Sequence, residues 1–154
     1  MEKEYPQVGV PFRLKHSKDL EDMPRRFGYD STGWNYQGET LTDGQEGLFM
    51  LVRPDYTYLM SSLPNAKKVL EAQYGPMPAC LWLGDFLNEY PRSNDIGDDS
   101  GLVGIADASF VDSHQCARFP HVRSTGRPFF YFADGTLGKL WRWIVFAQEV
   151  KKVS

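Results

Sequence analysis

The densest run of large apolar residues is Pro128–Val150, in which two apolar stretches flank the dipeptide Asp134-Gly135. Asp-Gly readily adopts the positive φ values of tight turns, so this arrangement predicts a β-hairpin. Aromatic and β-branched residues also favour a pleated, half-buried surface. A helix over Leu140–Val150 is the alternative, but the order Trp-Arg-Trp-Ile-Val-Phe disfavours it. We therefore predict that the two stretches pair as the central strands of the fold.

Other apolar segments predict further strands. Gly47–Val52 and Tyr56–Met60 are separated by a Pro-Asp turn, which favours a pair of neighbouring strands. Leu102–Val111 alternates well enough for a strand. Val8–Lys15 is predicted to form a short strand, which Pro11 restricts to an edge or a bend. The order of these strands is typical of antiparallel neighbours.

One helix is indicated between Ser62 and Gly75. Ser62 or Asn65 is a suitable N-cap residue, and glycine is a common signal for the end of a helix. The apolar run Ala79–Leu83 is either a buried strand or the start of a short helix through Asp85–Tyr90. Together these elements predict an α+β fold, a mainly antiparallel β-sheet or partly open barrel with one or two short covering helices.

The chain divides into two parts by composition. Residues 1–46 show no clear periodicity and carry isolated aromatic residues, so we expect an irregular N-terminal segment that packs on or extends from the domain. Residues 47–154 hold most of the predicted elements and are expected to form one compact α+β domain. Within it, Pro91–Gly101 is a loop by composition, and Ser113–Arg127 is expected to be a long connection into the hairpin.

Composition and charge narrow the classes of function. The net charge of −3 over 154 residues argues against bulk electrostatic binding of nucleic acid. The longest apolar runs fall short of the ~20 residues of a membrane helix, and the N-terminus lacks the apolar core of a secretory signal. Two cysteines define no disulfide framework. We therefore expect an intracellular, reducing compartment, foremost the cytoplasm, in preference to a single Cys80–Cys116 bridge.

Residues with catalytic or metal-binding chemistry concentrate in the stretch Asp112–His121. Imidazole and thiolate are zinc ligands, which makes His114, Cys116 and His121 candidates for a metal site. With Asp112, the same side chains supply the thiol, base and orienting acid of nucleophilic catalysis. Their spacing matches no standard zinc or nucleophile motif. The plainer interpretation is a buried cysteine and histidines satisfied within a loop.

The same region is rich in arginine and contains no carboxylate from Ser113 to Ala133. Arg118, Arg123 and Arg127 are candidates for binding an anionic ligand, because guanidinium groups form paired hydrogen bonds with phosphate or carboxylate. The favoured alternative is a solvated loop whose arginines pair with aspartates elsewhere. Even so, this loop is the best candidate for a binding surface in the chain.

Acidic residues cluster after the first predicted helix. Asp85 and Glu89 are spaced to share one face of a helix, as paired carboxylates for acid–base catalysis require. Asp95, Asp98 and Asp99 supply oxygens suited to calcium or magnesium. Their order does not match an EF-hand loop, so a solvated acidic loop is the favoured interpretation.

Tyr29, Trp34 and Tyr36 are aromatic residues of the irregular N-terminal segment. Aromatic rings are enriched in protein interfaces, so these three residues are candidates for a surface that a partner covers. The alternative is that the rings attach the segment to its own core.

The leading hypothesis is a non-catalytic binding or interaction protein, for example an accessory subunit of a larger assembly. It expects a protein partner and allows a small anionic ligand. The alternative is a small hydrolase or lyase, metal-dependent or not, which acts on an anionic substrate with Asp112, His114, Cys116 and His121 at its site. A third hypothesis is a ligand carrier whose aromatic hairpin lines a cavity. The sequence indicates no particular cofactor.

Overall fold

The computed structural model describes residues 6–18, 22–53, 62–91, 102–122, 128–135, 137 and 141–147. Within these ranges the chain forms eight strands and three helices. The strands are β1 (Phe12–Lys15), β2 (Asn35–Tyr36), β3 (Glu46–Val52), β4 (Leu102–Gly104), β5 (Phe110–Val111), β6 (Ala117–Val122), β7 (Pro128–Phe132) and β8 (Trp141–Phe146). The helices are α1 (Met23–Arg26), α2 (Leu63–Tyr74) and α3 (Trp82–Glu89). None of these helices is long and apolar enough to cross a membrane.

The strands form one open sheet. β8 lies between β3 and β4, β1 extends the sheet beyond β3, and β6 follows β4. One edge of β6 pairs with β4 and β5, its other edge pairs with β7, and β2 pairs with β5. β4 and β8 run parallel, whereas the other strand pairs run antiparallel. The predicted α+β class with a mainly antiparallel sheet is therefore confirmed.

The predicted hairpin at Asp134-Gly135 is wrong. β7 pairs with β6, with Phe130 opposite Pro120, and β8 pairs with β3 on one edge and β4 on the other. Asp134-Gly135 does form a local turn, in which the Gly135 N–H donates to the Phe132 carbonyl at 3.1 Å. The turn ends β7 without returning the chain beside it. β8 is buried along nearly its whole length, as expected of a strand with neighbours on both edges.

The sequence pattern indicated neither the two-residue strand β2 nor the longer strand β6. The predicted connection Ser113–Arg127 is wrong over Ala117–Val122, where the chain pairs with β4, β5 and β7. Arg118, Pro120 and His121 break the apolar pattern of this segment, and proline is excluded from most central strands because it donates no hydrogen bond.

Pro120 is tolerated because of the edge that its nitrogen faces. Ala117 directs its carbonyl towards β7, where it accepts the Ala133 N–H at 3.0 Å. Backbone groups of alternate residues point to opposite edges, so the Pro120 nitrogen faces the β4–β5 edge. Residues 105–109 lie between β4 and β5 and do not pair with β6, so no carbonyl on that edge requires an N–H from residue 120. The predicted strand Leu102–Val111 is consequently two strands, β4 and β5, with this interruption between them.

Helix α2 covers one face of the sheet and has the predicted boundaries. It begins after Ser62, has Pro64 in its first turn and ends at Gly75, whose φ of 80° is a left-handed conformation. Its buried side chains join an aromatic core cluster that includes Leu63, Ala66, Leu70, Phe119, Trp141 and Trp143. The last two rings stack at a centroid distance of 5.0 Å. Packing within the protein therefore accounts for both tryptophans.

The opposite face of the sheet is covered by α3 and by side chains of the N-terminal segment such as Met23, Phe27 and Leu41. α3 begins at Trp82, so the segment Ala79–Leu83 leads into a helix and is not a strand. Phe86 of α3 contacts Phe12 of β1 edge-on at a ring-centroid distance of 5.6 Å. β1 pairs with β3 and β2 pairs with β5, so two separate parts of the N-terminal segment join the sheet.

Several predicted features lie outside the described residues. They are the strand Tyr56–Met60, residues 92–101 of the predicted loop, and the carboxylates Asp95, Asp98 and Asp99. Both cysteines are described and both are free; Cys80 is buried and Cys116 is exposed. No bridge joins them.

Candidate binding surface

A tight turn of residues 112–116 connects β5 to β6, and Asp112 organises it. One carboxylate oxygen of Asp112, Oδ1, accepts the backbone N–H groups of His114 and Cys116 at 2.9 and 3.0 Å. The Gln115 N–H donates to the Asp112 carbonyl at 3.0 Å. Gln115 has a φ of 66°, and these bonds hold it in that left-handed conformation.

The second carboxylate oxygen of Asp112 pairs with Arg118. The Arg118 Nε donates to Oδ2 at 2.7 Å, and the side chain of Asp112 is 2% exposed while that of Arg118 is 17% exposed. Burial alone raises the pKa of Asp112. The hydrogen bonds from Cys116, Arg118 and His114 outweigh burial and hold this pKa below its ordinary value of 3.8. Asp112 is therefore ionised at neutral pH and anchors the arginine.

The guanidinium group of Arg118 lies among three aromatic rings. Its central carbon is 4.0 Å from the ring centroid of Phe132, 5.1 Å from that of Trp34 and 5.9 Å from that of Tyr29. Cation–π contacts of this kind contribute ~0.5–2 kcal/mol each. The Arg118 Nη1 also donates to the Phe130 carbonyl at 3.4 Å. We call Tyr29, Trp34, Arg118 and Phe132 together the Arg118 surface.

Tyr29 and Trp34 attach the N-terminal segment to the sheet. Their rings contact Phe130 at centroid distances of 5.6 and 5.2 Å. Tyr36 packs instead on Phe110 of β5 at 4.9 Å, and burial raises the pKa of Tyr36 well above its ordinary range. All three aromatic candidates are half-buried. Packing against the core therefore accounts for part of each ring and leaves part accessible.

Cys116 lies at a cleft of about 470 Å³ between the start of α2, the 112–116 turn and the turn after β7. The lining residues are Ser62, Pro64, Gln115, Cys116, Ala117, Ala133 and Asp134. The Cys116 Sγ lies 3.8 Å from the His114 carbonyl, whereas His114 bonds to Asp112 through its backbone N–H and not its imidazole. The turn thus brings Asp112, His114 and Cys116 together mainly through backbone contacts.

His121 and Arg118 lie on opposite faces of β6, because side chains alternate along a strand and the two residues are three positions apart. His121 is buried, stacks on Phe129 at a ring-centroid distance of 5.9 Å and contacts Trp141 at 5.0 Å. The four residue steps of β6 between Ala117 and His121 span roughly 13 Å at ~3.3 Å per residue. His121 is therefore remote from the 112–116 turn.

The described residues do not form a set of ligands for a metal ion. In the part of the chain that the structure describes, no group of three or more His, Cys, Asp or Glu side chains is placed to hold a metal ion. A metal site at His114, Cys116 and His121 stays a prediction from the sequence. Arg123 and Arg127, the other two anion-binding candidates, lie outside the described residues.

A buried His16–Asp85 pair joins β1 to α3 on the other side of the core. The His16 Nδ1 is 2.8 Å from the Asp85 Oδ2, and the Ser17 N–H donates to Oδ1 at 2.9 Å. The imidazole meets the Trp82 ring edge-on at a centroid distance of 5.9 Å. The His16 Nε2 is buried and has no hydrogen-bond partner among the described residues.

Asp85 was a candidate from the sequence, whereas His16 was not. The available signal was the two-residue period of a strand, since Phe12 and Leu14 of β1 and His16 directly after it are all buried. Burial raises the pKa of Asp85 above its ordinary value of 3.8, and the hydrogen bonds from His16 and the Ser17 N–H oppose that rise. The pair is enclosed in the core, which favours a structural role.

Comparisons of the chain with models of protein families, with curated proteins and with solved structures found no match. The function is therefore argued from the site itself. Of the features described above, the Arg118 surface combines a fixed guanidinium group with accessible aromatic rings.

Proposed function

We propose that this protein is a non-catalytic binding protein, such as an accessory subunit of a larger assembly, which binds a protein partner through the Arg118 surface. The observation that carries the proposal is the fixed position of Arg118 beside Phe132, a residue that is 40% exposed. Covering such a ring removes apolar surface from water, which stabilises a complex by about 25 cal/mol per Å².

Preorganisation supports this choice of surface. A long side chain that is ordered only on binding costs ~0.5–1.5 kcal/mol of affinity. Arg118 is ordered before any partner arrives, because Asp112 bonds its Nε and three rings surround its guanidinium. Arginine, tryptophan and tyrosine are also the residues most enriched at the energetic centres of interfaces.

The same geometry favours a protein partner over a small anion. An anionic ligand at Arg118 has to compete with Asp112, whose carboxylate already lies 2.7 Å from Nε. We further propose an intracellular, reducing compartment, foremost the cytoplasm, because an exposed free thiol such as that of Cys116 persists there.

Phe132→Ser tests the proposal in an affinity capture from lysate of the source cells. We expect the partner retained by the wild-type protein to bind the variant about 30-fold more weakly, the effect of losing a central interface ring. Val10→Ser is the matched control, because Val10 is also apolar and 49% exposed but lies near β1. Melting temperatures of both variants establish that the fold is intact.

The proposal fails if Phe132→Ser and Val10→Ser retain the same proteins at the same yield. Trp34→Ala provides a second point on the Arg118 surface and is expected to weaken the same partner. A partner lost with Val10→Ser alone places the interface near β1 and also contradicts the proposal.

A second candidate function, a small hydrolase or lyase, is favoured by one observation, the exposed thiol of Cys116 in the cleft beside α2. A catalytic thiol reacts with iodoacetamide at least about 10-fold faster than an ordinary one. If the cleft is catalytic, we expect Cys116 in the folded protein to react at least about 10-fold faster than the same cysteine in a peptide of residues 112–120. Cys116→Ser is the control, because it removes the reacting thiol. Equal rates for protein and peptide contradict this function.

A further inference from the structure

β7 is an edge strand in the described part of the chain, where β6 is the strand that pairs with it. Its sequence, Pro-Phe-Phe-Tyr-Phe, is uncharged and has high β propensity. Edge strands of this composition readily pair with other chains unless something covers their backbone groups. The groups that face away from β6 therefore decide what β7 can do.

The outward-facing residues of β7 follow from the register. Ala133 donates its N–H to the Ala117 carbonyl of β6. Backbone groups of alternate residues point to opposite edges of a strand, so those of Phe129 and Tyr131 also face β6 and those of the other β7 residues face outward. The outward-facing residues are Pro128, Phe130 and Phe132. Proline has no N–H, and the Phe132 carbonyl already accepts the Gly135 N–H at 3.1 Å.

Two side chains cover the outward groups of Phe130. The Phe130 N–H donates to the Tyr29 hydroxyl at 3.0 Å, and its carbonyl accepts from the Arg118 Nη1 at 3.4 Å. Tyr29 belongs to the N-terminal segment, and Arg118 belongs to β6. Both side chains thus reach over the open edge at its central residue.

We propose that the β7 edge is a self-pairing surface, which Tyr29 and Arg118 hold closed and which a second copy of this chain occupies when they are displaced. This proposal goes beyond the proposed function, because it concerns the backbone edge and not the exposed rings.

The register of the edge argues for a second copy. If two β7 strands pair antiparallel about a twofold axis at Phe130, the two Phe130 residues exchange both of their backbone hydrogen bonds. Each Phe132 N–H then meets the Pro128 carbonyl of the other copy. The Phe132 carbonyl then lies opposite Pro128 of the other copy, which has no N–H to donate. No hydrogen bond is lost there, because the Phe132 carbonyl already accepts the Gly135 N–H of its own chain.

Tyr29→Phe and the double variant Tyr29→Phe/Arg118→Lys open the edge in the full-length protein. Phenylalanine keeps the ring of Tyr29 but removes the acceptor for the Phe130 N–H. Lysine keeps a positive charge near Asp112 but removes the fork that reaches the Phe130 carbonyl. Each displaced hydrogen bond changes an equilibrium constant about 5-fold. We therefore expect dimer affinity to rise about 5-fold in the single variant and about 25-fold in the double variant.

Sedimentation velocity over a concentration series measures the dimer, and amide exchange at Phe130 reports the edge directly. Tyr36→Phe is the matched control, because it removes a hydroxyl that bonds to the Glu39 carbonyl and not to β7. Adding Phe132→Pro to the double variant removes an outward N–H and is expected to restore the monomer.

A double variant that stays monomeric at every concentration, with Phe130 exchange as in the wild-type protein, overturns the proposal. So does a dimer that persists with Phe132→Pro, because such a dimer does not pair through this edge. If the double variant does not fold, the Tyr29→Phe single variant decides by the same two measurements.

Discussion

Asp112→Ala is expected to lower the free energy of unfolding by about 3 kcal/mol, the effect of breaking a largely buried ion pair from one side. The variant leaves the backbone N–H groups of His114 and Cys116 without their acceptor and removes the partner of Arg118. Chemical denaturation measures the loss. Because Asp112 also fixes Arg118, we expect the variant to disorder the Arg118 surface.

Asp30→Ala is the control for this experiment. The Asp30 carboxylate also accepts hydrogen bonds, one from the backbone and one from the hydroxyl of Thr32, but it is exposed. We expect a smaller loss of stability there, since exposed hydrogen bonds exchange readily with water. Equal losses for Asp112→Ala and Asp30→Ala contradict the role assigned to Asp112.

The pH dependence of the Asp112 contribution has a definite sign. The folded protein holds the pKa of Asp112 below 3.8, so the unfolded chain binds the proton more tightly. The stabilisation is therefore fully present above pH 3.8 and is lost as the pH falls through the folded pKa. The stability difference between wild type and Asp112→Asn is expected to shrink on acidification.

Asp85→Ala is expected to lower the free energy of unfolding by a similar amount, about 3 kcal/mol. It removes the acceptor of the Ser17 N–H and leaves the His16 imidazole buried without its partner. Because His16 and Asp85 act as a pair, the double variant with His16→Ala is expected to lose about 1–3 kcal/mol less than the sum of the single variants. A double-mutant cycle in denaturant measures this coupling.

The control for Asp85 is Asp43→Ala, because the exposed Asp43 also accepts a backbone N–H, from Lys18. We expect Asp43→Ala to have a small effect. Additive losses for His16→Ala and Asp85→Ala, or a loss for Asp43→Ala as large as that for Asp85→Ala, contradict the assignment of the buried pair.

Asp85 has the opposite pH dependence to Asp112. Burial raises its folded pKa above 3.8, so the folded protein binds the proton more tightly than the unfolded chain. The relative stabilisation is present at pH below 3.8 and is lost as the pH rises through the folded pKa. The stability of wild type relative to Asp85→Asn is expected to fall with rising pH in this window.

Local signals in the sequence were sufficient for helix α2. Pro64 and Gly75 act within the first turn of the helix and directly after its last, so both signals can be read from the local sequence. Ser62 occupies the N-cap position but makes no side-chain cap, and the Leu63 N–H donates instead to the Ala133 carbonyl at 3.1 Å. The overall class also followed, because the strand segments outnumbered the helical ones.

Strand pairing was not predictable by the same means. Asp134-Gly135 signals a turn and does make one, but the turn does not select the partner of β7. That choice depends on burial: Trp143 and Ile144 of β8 have side chains buried on opposite faces of the sheet, which suits an interior strand. β6 was missed because Pro120 is compatible with a strand only opposite the interruption at residues 105–109.

The candidate site was predictable in its parts and not in its arrangement. Asp112 and Arg118 were both named from their chemistry, and Tyr29 and Trp34 from their rings. These residues contact one another because β6 pairs with β7 and the N-terminal segment packs on Phe130 of β7. The contacts of the N-terminal segment with β7 join residues that are about 100 positions apart, so local sequence patterns do not reveal them. Phe132 was assigned to a hairpin strand for the same reason, although its exposure beside Arg118 gives it its proposed role.

The most direct test of the proposed function is photo-cross-linking in cells of the source organism. A benzophenone amino acid at Phe132 reports what touches the Arg118 surface, and the same amino acid at Val10 serves as the control. We expect a discrete covalent product with one partner from position 132 and none from position 10. No product at position 132, or equal products at both positions, contradicts the role proposed for the Arg118 surface.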